Sequence, residues 1–150
     1  MAVTVKGTEG VSKVEATGTA SSSTFLRGDY AWAEAGGGKI AQILSTTKTD
    51  TFSTTSATFV DIPSMTVTIT PAAASSKIYI MASMNGGGQQ GWRLQLVRDS
   101  TAISIGDTAS SRTPTTATGS PKNGGAMNTA SFNFLDSPST TSATTYKIQV

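Results

Sequence analysis

From Lys39 onward the chain is written in short runs that alternate apolar and polar residues, each closed by Gly, Pro, Asn or Asp. A period of two places successive side chains on opposite faces of a strand, so the pattern points to half-buried β-structure rather than to long amphipathic helices. Met65, Val67 and Ile69 alternate with Thr66, Thr68 and Thr70 and stop at Pro71. Ile78, Ile80, Ala82 and Met84 form the next run, closed by Asn85-Gly86-Gly87-Gly88, and Trp92, Leu94 and Leu96 follow against Arg93 and Gln95. Ile103 and Ile105 mark a brief strand, and Ala130, Phe132 and Phe134, then Tyr146, Ile148 and Val150, mark two more. With residues 39–47 and 59–62 the pattern predicts an all-β head of about eight strands over 39–150, a sandwich or barrel. The Ile40, Ile43, Leu44 spacing would also suit a helical turn; the β-branched Thr46 and Thr47 favour strand.

Residues 1–38 read differently. Val3, Val5, Val11 and Val14 are scattered among Gly, Thr and Lys, and a Ser21-Ser22-Ser23-Thr24 run and Gly36-Gly37-Gly38 follow. So little apolar surface does not offset the ordering entropy of an independent domain. The expectation is an extended arm and linker, which 38 residues could stretch to about 120 Å. Residues 85–91 and 106–125 are too rich in Gly, Pro, Ser and Thr to be strands and read as exposed loops. One stretch echoes another: 50–58 resembles 136–144, each preceding an alternating run. They read either as coincidence or as similar loops entering strands at one end of a sandwich.

Composition removes several chemistries. With no Cys and no His there is no disulfide, no thiolate or imidazole metal site and no Cys or Ser–His nucleophile. We therefore expect no cofactor, no metal and no catalytic residue. Lys and Arg, 11 against 9 acidic residues, are scattered singly, which argues against a nucleic-acid footprint. No apolar stretch approaches the roughly 20 residues of a membrane span, so neither nucleic acid nor membrane insertion is expected. Arg27-Gly28-Asp29 spells an integrin-binding tripeptide, but a turn in the linker is the commoner use of such residues. Gly36-Gly37-Gly38-Lys39 fails as a phosphate loop, because Ala33 and Ile40 stand where Gly and Ser/Thr are required. Asp50, Asp61, Asp99, Asp107 and Asp136 sit in or beside loops, where a carboxylate pair could in principle hydrolyse a glycosidic bond. Turn and capping roles are far more frequent for such residues.

Trp92 shares its parity with Leu94 and Leu96, which favours core or subunit interface over a sugar-stacking platform. Tyr79 and Met81 oppose Ile78 and Ile80, leaving that strand apolar on both faces, as expected of one covered by a neighbouring chain. With Trp92, Phe132, Phe134 and Tyr146 they form the candidate core or interface set.

At Phe25-Leu26-Arg27-Gly28-Asp29-Tyr30-Ala31-Trp32 the chain resembles a junction that recurs in bacteriophage tail fibres and other virion appendages. Ser75-Ser76-Lys77-Ile78, Leu96-Val97-Arg98-Asp99 and Phe134-Leu135-Asp136-Ser137-Pro138 are similar to a β-domain of phage structural proteins. The resemblance implies a non-enzymatic virion component, assembled in the host cytoplasm. It also implies a homotrimer with a jelly-roll-like antiparallel β-sandwich head, docked on other virion proteins through Val3, Val5, Val11 and Val14. Phe25, Leu26, Arg27, Gly28, Asp29 and Trp32 would be the linker junction, and a host cell-surface glycan or protein the outer partner. A capsid-decorating or head-fibre protein is the nearest alternative; a glycan-binding or glycan-degrading tail protein and a free-standing lectin are further ones. Relatives continue beyond a strand like 143–150, so either the chain is cut short or a neighbouring subunit supplies the edge.

Overall fold

The computed structural model describes residues 19, 24–26, 31–34, 40–88, 91–120 and 126–150. They fall into two compact units, Met1–Ile40 and Ala41–Val150. The described part of the first is a small antiparallel hairpin, β1 (Thr24–Leu26) with β2 (Trp32–Glu34). Within the stretch read as a single extended arm, the chain thus folds back on itself. Val3, Val5, Val11, Val14, Arg27, Gly28 and Asp29 lie outside the described residues.

The second unit is all-β and antiparallel, with no helix among its described residues. Its strands are β3 (Asp61–Ile69), β4 (Ile78–Gly86), β5 (Trp92–Arg98), β6 (Thr101–Ile103), β7 (Ala117–Gly119), β8 (Asn128–Asp136) and β9 (Thr144–Gln149). One sheet runs β3-β9-β5-β6, with β7 also on β5; the other is the pair β4-β8. The expected eight strands are corrected to seven among the described residues of this unit. Residues 40–47 form no strand, and the two runs expected at 59–62 and 65–70 are one strand. That strand survives Pro63 because it is a sheet edge, where a missing N–H costs no ladder bond. The register slips between Asp61 and Thr66, and Ser64 takes a positive φ of 66° in the bulge.

β7 lies inside the stretch read as a loop. It takes one half of a β5 edge whose other half carries β6: Trp92, Arg93 and Leu94 face Gly119, Thr118 and Ala117, while Leu96, Val97 and Arg98 face Ile103, Ala102 and Thr101. Thr116 closes the gap between them. Its N–H donates to Leu94 O at 2.8 Å, and its hydroxyl accepts from Leu96 N–H at 2.9 Å and donates to Ile103 O at 3.3 Å. The β5–β6 turn is fixed from the far side. Asp99, at φ 54°, donates its N–H to Thr145 O at 2.7 Å and accepts the Thr145 N–H on its carboxylate at 2.9 Å.

Both sheets contribute to one core. Ile62, Leu94 and Ile148 come from the larger sheet and Ala130 from β8, with Met65, Trp92, Ala82, Met84 and Phe132 packed around them. Leu94 and Leu96 are the two largest side chains withdrawn entirely from water. The echoing segments share a local bond: Ser56 N–H donates to Thr54 Oγ1 and Ser142 N–H to Thr140 Oγ1, each at 3.0 Å. They lead into β3 and β9, which pair antiparallel, so they enter the sheet at opposite ends rather than at one.

Candidate interaction surface

β5 and β8 lie in different sheets and are joined near both ends. At one end the Trp92 indole N–H donates to Asn128 Oδ1 at 2.8 Å, and Asn128 Nδ2 donates to Ser120 O at 2.6 Å. The indole fits because its neighbours have no side chain. A Cβ on Gly86 would stand 2.8 Å from the ring, and one on Gly119 would overlap it outright. Trp92 is half-buried and packs on the core, so its ring is a filler between sheets.

At the other end Arg98 Nη1 donates to both oxygens of Asp136 at 2.9 Å, and the Tyr146 hydroxyl donates to Asp136 Oδ2 at 2.6 Å. Asp136 and Tyr146 are both buried. Burial of the phenol, reinforced by its bond to the carboxylate, pushes Tyr146 above the ordinary tyrosine range. An acid held neutral in the fold but free to ionise in the unfolded chain stabilises fully below the unfolded pKa near 10, and that contribution drains away as pH rises beyond it. Stability measured by urea unfolding should therefore fall between pH 9 and 11.5, by up to about 1.4 kcal/mol per pH unit above 10. In Tyr146→Phe this component of the slope should vanish; an unchanged slope would contradict the assignment.

The outer face of β4–β8 is the most distinctive surface. Inward positions Ile78, Ile80, Ala82 and Met84 are half-buried, while Tyr79, Met81 and Leu135 stand 58%, 74% and 57% exposed. Tyr79 faces Leu135 directly across the pair, and Met81 faces Asn133. The remaining outward residues are Ser83, Asn85, Thr129 and Ser131; Thr129 donates to Asn85 Oδ1 at 2.5 Å and Ser131 to Ser83 at 3.3 Å. No outward side chain on this pair carries a charge. By contrast, the larger sheet has Lys147 bonded to Asp61 at 2.9 Å and Gln149 to the same carboxylate at 2.7 Å. Those bonds, Lys147 first, hold the Asp61 carboxyl below its usual range.

Of the candidate set, Phe132 and Phe134 are half-buried on the inward side of β8, and Tyr146 is buried on β9. Leu26 is 40% exposed and its Cα pairs with that of Trp32, itself half-buried; Phe25 pairs with Ala33. Asp50, Asp61, Asp99 and Asp136 each hold hydrogen-bond partners of their own, and Asp99 and Asp136 both lie near the Tyr146 phenol. Asp50 accepts from Lys48 at 2.8 Å, a bond that lowers its pKa, while Asp99 and Asp136 hold the partners described above. Among the described residues no three acidic side chains gather as a metal site would need. Arg98, Asp136 and Asn128 were missed as a set by sequence reasoning. Their signal was parity: each falls on the inward register of its strand. No family model, no curated protein and no solved structure matches this chain.

Proposed function

We propose that this chain is a non-enzymatic structural protein of a bacteriophage virion, most simply a tail fibre whose β-head is a jelly-roll-like sandwich assembled as a homotrimer. Residues 1–20 would attach it to other virion proteins, and the head would be presented outward for assembly or host adsorption. The observation that carries the reading is β4, nine uncharged residues whose first half is apolar on both faces, with Tyr79 and Met81 exposed. A contiguous exposed apolar surface rimmed by polar residues is what a protein–protein interface requires. The Phe25–Trp32 junction supplies the virion context. A capsid-decorating protein would use the same parts, and the location of the chain on the particle separates the two.

The test is to purify particles that encode the chain and to locate and count it by immunolabelling. A variant lacking residues 1–20 should keep the β-rich circular dichroism of the head and be missing from the particle. Absence of the full-length chain from purified virions would overturn the proposal. So would polysaccharide depolymerisation abolished by Asp99→Asn or Asp107→Asn.

A further inference from the structure

Sheet edges are aggregation hazards, and proteins blunt them with proline, bulges, charge or brevity. β3 carries Pro63, a bulge and the Asp61–Lys147 pair, and β6 and β7 are three residues each. β4 has none of these devices. It pairs with β8 over nine consecutive positions without a register shift, holds neither proline nor charge, and is unpaired along its other edge among the described residues. The same unit contains the complementary deficiency. Residues 41–59 belong to no strand, yet Ile43 and Leu44 are 78% and 45% exposed, and Ile40 just before them is 78% exposed. This segment is rooted on its own sheet at Thr46, whose hydroxyl donates to Ser64 O at 2.9 Å, and, two residues on, the Lys48 side chain, only 8% exposed, bonds Asp50.

We propose that residues 40–45 of one copy add as a strand to the β4 edge of the next copy. The match is chemical. The Ile78–Met81 half of β4 is apolar on both faces and is matched by a neighbour apolar on both faces. Ile43 would extend the inward row of Ile78, Ile80 and Met84, and Leu44, of opposite parity, the outward row of Tyr79 and Met81. Residues 40–47 carry no charge to place against an uncharged edge. Each chain offers one donor and one acceptor on different parts of its surface, so every donor and acceptor is satisfied in a closed ring such as the trimer or by reciprocal exchange between two copies. This inference rests on the oligomer in the proposed function and names how it is held.

The native chain has no cysteine, so introduced thiols report without background. Leu44→Cys is combined in turn with Tyr79→Cys, Met81→Cys and Ser83→Cys in the full chain, oxidised at micromolar concentration and run on non-reducing gels beside a solution-mass measurement. Side chains directly opposite on paired strands lie within disulfide reach. At least one pair should give covalent dimer and trimer bands that are absent from every single variant. A trimeric mass with no inter-chain band in any pair overturns the strand donation while leaving the trimer standing. A monomeric mass overturns both. A covalent dimer from a single β4 cysteine would mean two-fold β4–β4 pairing and also overturns it.

Discussion

Asp136→Ala is expected to cost about 2–4 kcal/mol of folding stability, read as a lower urea midpoint at unchanged slope. The Asp136 side chain is 8% exposed and satisfies Arg98 and Tyr146 at once. Its loss strands a guanidinium and a phenol between the sheets. Breaking one side of a buried pair costs more than the pair is worth, because the surviving partner keeps its desolvation penalty. The Arg98 side chain retains 28% exposure, so water reaches part of it, and the expected loss sits below the roughly 3–5 kcal/mol of a fully enclosed pair. Tyr146→Phe, which leaves the ion pair intact, should cost only about 1 kcal/mol. An Asp136→Ala protein within 0.5 kcal/mol of the parent, about the spread of neutral surface changes, would show that the cluster carries no net stability.

Gly119→Ala should be comparably damaging, about 2–3 kcal/mol, although it adds a single methyl group. The new Cβ would occupy space filled by the Trp92 ring, and either β7 leaves β5 or the indole leaves Asn128. Gly86→Ala meets the same ring at 2.8 Å and should cost less. Trp92→Ala alone should lose about 3–5 kcal/mol as an emptied aromatic site. The double variant Gly119→Ala/Trp92→Ala is the decisive measurement. It should be more stable than the sum of the two losses by 1 kcal/mol or more, within the range of about 0.5–3 kcal/mol found for contacting residues. Strict additivity would show that the glycine and the ring do not meet.

Alternation made much of the β-unit legible. The runs at 78–84, 92–96, 130–134 and 146–150 are strands because each buries one parity, and a single-residue slip would expose the whole apolar row. What alternation could not show is instructive. Ala117, Thr118 and Gly119 carry no strand signal, since β7 is selected by what it must not have, a side chain under Trp92. Residues 40–47 have β-branched residues and apolar bulk but no partner within their own sheet, and strand propensity without a ladder makes no strand. The runs 59–62 and 65–70 read as two strands, where the chain instead carries Pro63 within one outer strand. The Arg98–Asp136–Tyr146 cluster joins positions 38 and 10 residues apart. Only the pairing of sheets brings them together, although the inward parity of all three was visible beforehand.

The two polar fastenings between β5 and β8, Trp92 on Asn128 and Arg98 on Asp136, stand at opposite ends of an oily middle made by Leu94, Leu96, Ala130 and Phe132. Grease alone has no preferred alignment and would let one layer glide over the other. Bolted twice, the layers hold a single alignment, set by side chains at both ends rather than by the oily contact between them.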